Sequence, residues 1–190
     1  VIERPQPTQT ALIVAVPDLE RAVAEHRRRL DVAASWGVPA HVTVLYPFVA
    51  PGAVDAELIA GLGEALASVE PFDCEFARSQ WFGEDVVWLA PDPDQPFRDL
   101  TDAVWRRFPQ HPPYGGAFDD VVPHVTVGDS RGGSLADLRA AEVATRAHLP
   151  IRTRIERVLL IAGTDAPDSW RTIGEFSLGT PVGMRYRRGT

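Results

Sequence analysis

His41-Val42-Thr43-Val44, within PAHVTVLYPF at 39–48, recurs as His124-Val125-Thr126-Val127 within VVPHVTVGDS at 121–130, 83 positions later. Each copy reads as a strand, because β-branched residues fill it and a proline stands within two residues before it. Side chains alternate faces along a strand, so His41 and Thr43 point one way while Val42 and Val44 point the other. His124 and Thr126 stand in the same relation to Val125 and Val127. Each strand is thus anchored by two valines and shows an imidazole beside a hydroxyl on its opposite face. If the two halves of the protein face each other, one cleft holds two histidines and two threonines.

Outward from these strands the halves echo each other. In the first, ALIVAV at 11–16 reads as a buried strand, and Pro17-Asp18 opens a helix with Leu19, Val23, His26 and Leu30 at helical spacing. Asp18 suits its N-cap, and Arg27-Arg28-Arg29 sit towards its C-terminal end, where cations favour the helix dipole. A helix from Val54 to Val69 follows the first HVTV strand, and then the strand FDCEFARSQWF. After a turn at Gly83-Glu84-Asp85 come the strand DVVWLAP, the helix in DPDQPFRDLTDAVWRRF, a Pro/Gly-rich loop and the second HVTV strand. Ser134 caps a fourth helix, Ile155–Ala162 is a buried strand, and Trp170–Leu178 is the last. The order strand, helix, HVTV strand, helix, strand therefore occurs twice, an internal repeat of about 80–90 residues suited to a two-lobed duplication. The mixed order favours an α+β fold with antiparallel sheets over a doubly wound parallel one. The reading is one domain over 1–190, built of two intimately packed lobes.

The chain has 190 residues, 45% of them hydrophobic, enough for a sizeable core. Its formal net charge of −7 argues against an extended duplex-binding surface, though a few local arginines suffice for a nucleic-acid end. All 19 basic residues are Arg. Without Lys there is no Walker-type phosphate loop, no Schiff base and no lysine-linked nucleotidyl intermediate. The single Cys74 rules out an intrachain disulfide and a multi-Cys zinc site. No apolar run reaches membrane-spanning length, and the default reading is a cytoplasmic monomer.

The paired HVTV segments resemble the H-x-T/S motifs of the two-histidine (2H) phosphoesterase superfamily, in particular its bacterial 2′-5′ RNA ligase-like members. WFGEDVVWLAPDP, the PPYGGAFDDVVPH loop and the final strand fall in matching order, so the likeness covers nearly the whole chain. The resemblance implies a bilobal fold with a pseudo-twofold axis and a central cleft, helices outside, and chemistry that needs neither metal nor cofactor. It implies hydrolysis or transfer at cyclic or 2′-linked phosphodiesters, with His41 and His124 as the catalytic pair and Thr43 and Thr126 as phosphate ligands. The expected partner is a small cyclic nucleotide or an RNA terminus bearing a cyclic phosphate.

Elementary chemistry agrees with that implication. Opening a 2′,3′-cyclic phosphate with water needs a base for the water and an acid for the leaving ribose oxygen. Histidine serves either role near neutrality. The threonine hydroxyls can donate to the non-bridging oxygens, where charge gathers in the transition state. The motifs leave open which histidine plays which role. A module that grips RNA ends without turnover, and an ATP-independent 2′-5′ joining reaction, are the alternatives to a hydrolase.

Other stretches have plainer readings. Gly128-Asp129-Ser130-Arg131-Gly132 matches G-x-S-x-G, but the only later histidine, His148, follows too closely to complete a triad, so a turn is the reading. No HExxH or close His/Asp cluster supports a metal centre. Tyr46, Tyr114 and Trp81 are candidate substrate contacts, the aromatics as stacking surfaces for a base. Trp88 is assigned to packing, Arg27-Arg28-Arg29 to a solvated surface, and Arg185, Arg187 and Arg188 to a terminal cluster able to guide an RNA end.

Overall fold

The structure, a computed structural model, describes residues 5–118 and 120–179. The cluster Arg185, Arg187 and Arg188 lies outside the described residues. In chain order the elements are β1 (Gln9–Ala15), α1 (Glu20–Leu30), a short α2 (Val32–Ser35), β2 (His41–Leu45) and α3 (Ala56–Ala67). They continue with β3 (Phe72–Phe82), β4 (Val86–Asp92), α4 (Gln95–Arg107), β5 (Val125–Asp129) and α5 (Leu135–Arg146). The last three are β6 (Ile151–Ile155), β7 (Arg157–Gly163) and β8 (Arg171–Ser177).

The strands form two four-stranded antiparallel sheets, ordered β2-β1-β7-β8 and β5-β4-β3-β6. The fold is α+β, and each HVTV strand occupies the edge of its own sheet, beside the strand that precedes it in its half. The sequence repeat does not map one half to one sheet, however. Gly83, at φ 57°, turns the chain between β3 and β4, and the tight hairpin keeps β3 with β4 in the second sheet. The first sheet is completed instead by the β7–β8 hairpin. β6, paired with β3, was not foreseen from the sequence, where a preceding proline and alternating charges mask a short strand.

Local chemistry explains most boundaries. Ser134 caps α5 with a full capping box, its hydroxyl accepting from the Asp137 amide while the Asp137 carboxylate accepts from the Ser134 amide. Asp55 caps α3 through the Leu58 amide at 2.8 Å. Asp18 does not cap α1. A 3₁₀ turn at Pro17–Leu19 precedes the helix, and the Asp18 carboxylate accepts from the Thr153 hydroxyl at 2.6 Å.

The main core joins one face of each sheet to the helices, through Leu12, Val42, Val44, Leu89, Val125, Val127, Phe97 and Leu100 among others. The four valines of the HVTV strands are all buried there, each contributing about 2 kcal/mol of apolar burial. A smaller cluster of Ala11, Ile13, Val38, Ile161 and Trp170, with Tyr46 and Trp36 against it, lies on the opposite face of the first sheet. Among the described residues no helix is long and apolar enough to cross a membrane.

The helices cross over between the sheets. α1 follows β1 yet packs against β5, and α4 follows β4 yet packs against β2. The Thr101 hydroxyl of α4 donates to the Val44 carbonyl at 2.9 Å. Leu30, at the end of α1, fits into space left by Gly128, Gly132 and Gly133. This packing accounts for the glycines of the G-x-S-x-G match, and the Ser130 hydroxyl between them donates to Asp85 at 3.0 Å. A Cβ on Gly132 would stand 2.6 Å from Leu30 backbone atoms, which cannot swing aside. Gly132→Ala is therefore expected to destabilise the fold by about 1–3 kcal/mol in urea unfolding. Gly52→Ala, where a Cβ meets nothing within 4 Å, is the control and should leave the midpoint nearly unchanged.

Candidate active site

β2 and β5, the edge strands of the two sheets, come alongside each other. Along β2, His41 and Thr43 are half-buried while Val42 and Val44 are sealed in the core. Thr126 of β5 is half-buried between Val125 and Val127 in the same way. His124 immediately precedes β5 rather than lying in it, because the ladder with β4 begins at Val125 opposite Leu89.

The two imidazoles are held by one device used twice. His41 Nδ1 donates to the Pro39 carbonyl at 2.7 Å, and His124 Nδ1 donates to the Val122 carbonyl, also at 2.7 Å. A carbonyl only accepts, so each Nδ1 carries the proton and each neutral ring keeps its lone pair on Nε2. Burial, the positive charge of Arg27 and that of a protonated His124 together depress His41 to about 3, against the pull of the Pro39 carbonyl. Burial also lowers His124, but there the Val122 carbonyl and the negative charge of Asp31 oppose the shift. The charges near the two rings thus differ in sign.

Arg27 corrects the sequence reading. Arg28 and Arg29 are exposed, but Arg27 is only 2% exposed. Its Nε donates to the Asp31 carboxylate at 2.8 Å, and Asp31 in turn accepts from the Ala33 amide at 3.0 Å. An arginine triplet at the end of an amphipathic helix reads as solvated; its first member falls on the stripe that α1 turns inward, with Val23 and Leu30. Losing one partner alone would strand a buried charge, at a cost of about 3–5 kcal/mol.

Of the other candidates, Tyr114 comes closest to the motif residues. The Thr43 side chain is a hydrogen-bonding neighbour of the Tyr114 hydroxyl, which partly offsets the burial that raises this phenol. The Tyr114 amide donates to the Tyr46 carbonyl at 2.7 Å, and Tyr114 takes a left-handed conformation at φ 51°. That backbone is uncommon for a bulky residue and is held here by these contacts. The Tyr46 side chain instead donates to Gln9 and packs near Trp170 in the smaller cluster. What Tyr46 contributes beside Thr43 is its carbonyl.

Trp81 and Trp88 exchange the parts read from the sequence. Trp81 pairs with Val87 across the hairpin and packs against the main core, on the face away from His124. Trp88 pairs with Thr126 and meets the His124 ring edge-on at 5.7 Å. Phe82 stacks on Trp88 at 4.7 Å, touches His124 edge-on at 5.0 Å and is 37% exposed. The sequence signal for this was the three-residue turn at 83–85, which puts Phe82 opposite Val86 and hence on the face of Trp88. The sequence reading assigns no register to this hairpin, so it does not separate the face of Trp81 from the face that Phe82 shares with Trp88.

Among the described residues no group of three or more His, Cys, Asp or Glu side chains is placed to hold a metal ion. Cys74 is buried in the core with its thiol pushed up to about 12 by burial and Asp73.

Comparisons with known proteins bear on this arrangement. The fold is similar to that of E. coli LigT in complex with 3′-AMP, with a TM-score of 0.57 and 16% identity over 92% of this chain and all of that one. TT0787 of Thermus thermophilus gives 0.56 and 17% identity, over 90% of this chain and 98% of the other. A structure described as a phosphoesterase gives 0.56 and 16%, over 92% of this chain and all of that one. No curated protein sequence matches the chain significantly. The model of the 2′-5′ RNA ligase superfamily matches residues 15–166, from the end of β1 past β7, with both HVTV segments inside the match. The chain belongs to that superfamily, the 2H phosphoesterases.

Proposed function

We propose that the protein is a phosphodiesterase that opens 2′,3′-cyclic phosphates of nucleotides or RNA ends without a metal ion, with His41 as general base and His124 as general acid. The observation that carries this reading is the matched anchoring of the two rings. Each Nδ1 is committed to a backbone carbonyl and each Nε2 is left for chemistry, on neighbouring edge strands. His41 Nε2 takes a proton from water as the water oxygen attacks phosphorus. The bond from phosphorus to one ribose oxygen breaks, and that oxygen takes the Nε2 proton of His124. Arg27 favours the neutral form of His41, whereas Asp31 favours the charged form of His124, which supports this division of roles. Thr43 and Thr126 donate to the non-bridging oxygens, and the exposed face of Phe82 offers a stacking surface for the base. LigT structures with 3′-AMP and with NADP+ make a nucleotide-sized ligand reasonable for a protein of this fold.

The test is incubation with 2′,3′-cyclic AMP in EDTA, with the products separated by chromatography. Turnover to a 2′- or 3′-monophosphate is expected. Calorimetric binding without any product would leave a binding module in its place. The profile of kcat/KM against pH is a second check. The base must be neutral and the acid protonated in the free enzyme. With His41 near 3 and His124 below its ordinary 6.5, kcat/KM should peak between the two, on the acid side, and already be falling with rising pH before 6.5 is reached. A plateau extending to alkaline pH would remove His124 from the acid role.

A further inference from the structure

The carbonyls that hold the two histidines belong to loops that are themselves fastened in one pattern. Arg27 donates from its terminal nitrogen to the Val38 carbonyl at 3.2 Å, and the next carbonyl, that of Pro39, receives His41 Nδ1. Arg98, in the first turn of α4, donates from a terminal nitrogen to the Val121 carbonyl at 2.9 Å, and the next carbonyl, that of Val122, receives His124 Nδ1. In both cases the clamped carbonyl lies three residues before the histidine. In both, the arginine Nε is committed to a carboxylate four residues away along the chain: Asp31 at 2.8 Å and Asp94 at 2.9 Å. Arg98 has a further hold on the second loop, through Asp120 at 2.6 Å. The order differs, since Asp31 follows its arginine and Asp94 precedes its own. The same geometry is thus built from opposite ends of two helices.

We propose that Arg27 and Arg98 are a matched pair of positioning residues, each clamping the loop whose next carbonyl fixes the tautomer and aim of one histidine. The planar guanidinium suits this work. It has a fork of donors in fixed relative directions, so a carboxylate grip at Nε sets where the terminal nitrogen points. A lysine has one nitrogen on a flexible stem and cannot hold two acceptors in that relation. The groups around each ring are consistent with a mechanical role. The first loop is also tied at the Ala40 amide by the Glu20 carboxylate at 2.7 Å, and the second carries Pro123 next to its histidine. What each loop lacks without its arginine is a fixed carbonyl direction. An imidazole freed from an accepting carbonyl reverts towards the Nε2–H tautomer, which has no lone pair facing the cleft.

The proposal rests on the two-histidine reading above, and its test separates the two. Arg98 is the accessible clamp, with its side chain 29% exposed, so Arg98→Gln should fold. Arg27 is buried, so its variant is the pair Arg27→Gln/Asp31→Asn, which removes both charges together and keeps side chains able to hydrogen-bond. Imidazole ¹⁵N shifts at about pH 8, with both rings neutral, report which nitrogen carries the proton. Wild type should show Nδ1–H on both rings. Arg98→Gln should move His124 towards Nε2–H and leave His41 as it was, and the Arg27 pair should do the reverse. On 2′,3′-cyclic AMP each variant should lose about 10-fold or more in kcat with KM within about twofold. Arg98→Lys, which keeps the charge and a single donor nitrogen, should fall between Arg98→Gln and wild type. Unchanged tautomers in both folded variants would overturn the proposal, and so would a change in both rings from either substitution. If wild type turns over no cyclic phosphate, the proposed function fails while the ¹⁵N shifts still decide the clamps.

Discussion

Alanine at His41 or at His124 is expected to lower kcat on 2′,3′-cyclic AMP by about 10²–10⁴-fold, the range that general acid–base groups supply. The two losses should not multiply. The base and the acid act on the same transition state, so removing one leaves the other little to assist, and the double variant should fall close to the worse single one. Folding is not the issue, because both rings are only half-buried and the strands are held by their valines. Circular dichroism and an unfolding midpoint near wild type would confirm that. Steady-state kinetics with all three variants, in EDTA, gives the result. A single variant that retains more than about a tenth of wild-type kcat excludes its histidine from proton transfer.

Valine at Thr43 or Thr126 carries the next largest expected effect, about 10²–10³-fold in kcat for each. Valine preserves the shape and the β-branch that suit a strand and removes only the donor. The hydroxyl works where the non-bridging oxygens gain charge, so KM should change much less than kcat. Serine in place of either threonine should restore most of the rate. At Thr43 the hydroxyl has Tyr114 as a hydrogen-bonding neighbour; Thr126, across the ladder from Trp88, is engaged by no comparable partner among the hydrogen bonds of the described residues. A rise in KM with kcat unchanged in both valine variants would assign the hydroxyls to ground-state binding instead.

Short-range chemistry makes much of this legible in the chain itself. The alternation in HVTV announced which residues face the cleft, and β2 and β5 follow it. The α5 cap was equally plain, since Ser134 and Asp137 stand at capping-box spacing. What stayed hidden depended on relations between distant segments. The fate of Trp81, Phe82 and Trp88 turned on hairpin register, where one step reverses every side chain. Arg27 looked like its two neighbours until α1 was laid across β5, which buries the inward side of its last turn. β3 leaves its own half for the other sheet because a tight turn binds it to β4, and a repeat in sequence carries no record of that.

The crossing of the helices has a mechanical consequence. Spreading the two sheets apart would drag the tip of α1, Leu30, out of its niche among Gly128, Gly132 and Gly133, and would break the tie from Thr101 to Val44 on the other side. Neither sheet can swing on a simple hinge while these braces hold. The gap between the imidazoles is therefore a dimension of the frame, set at folding and already in place when the first ligand arrives.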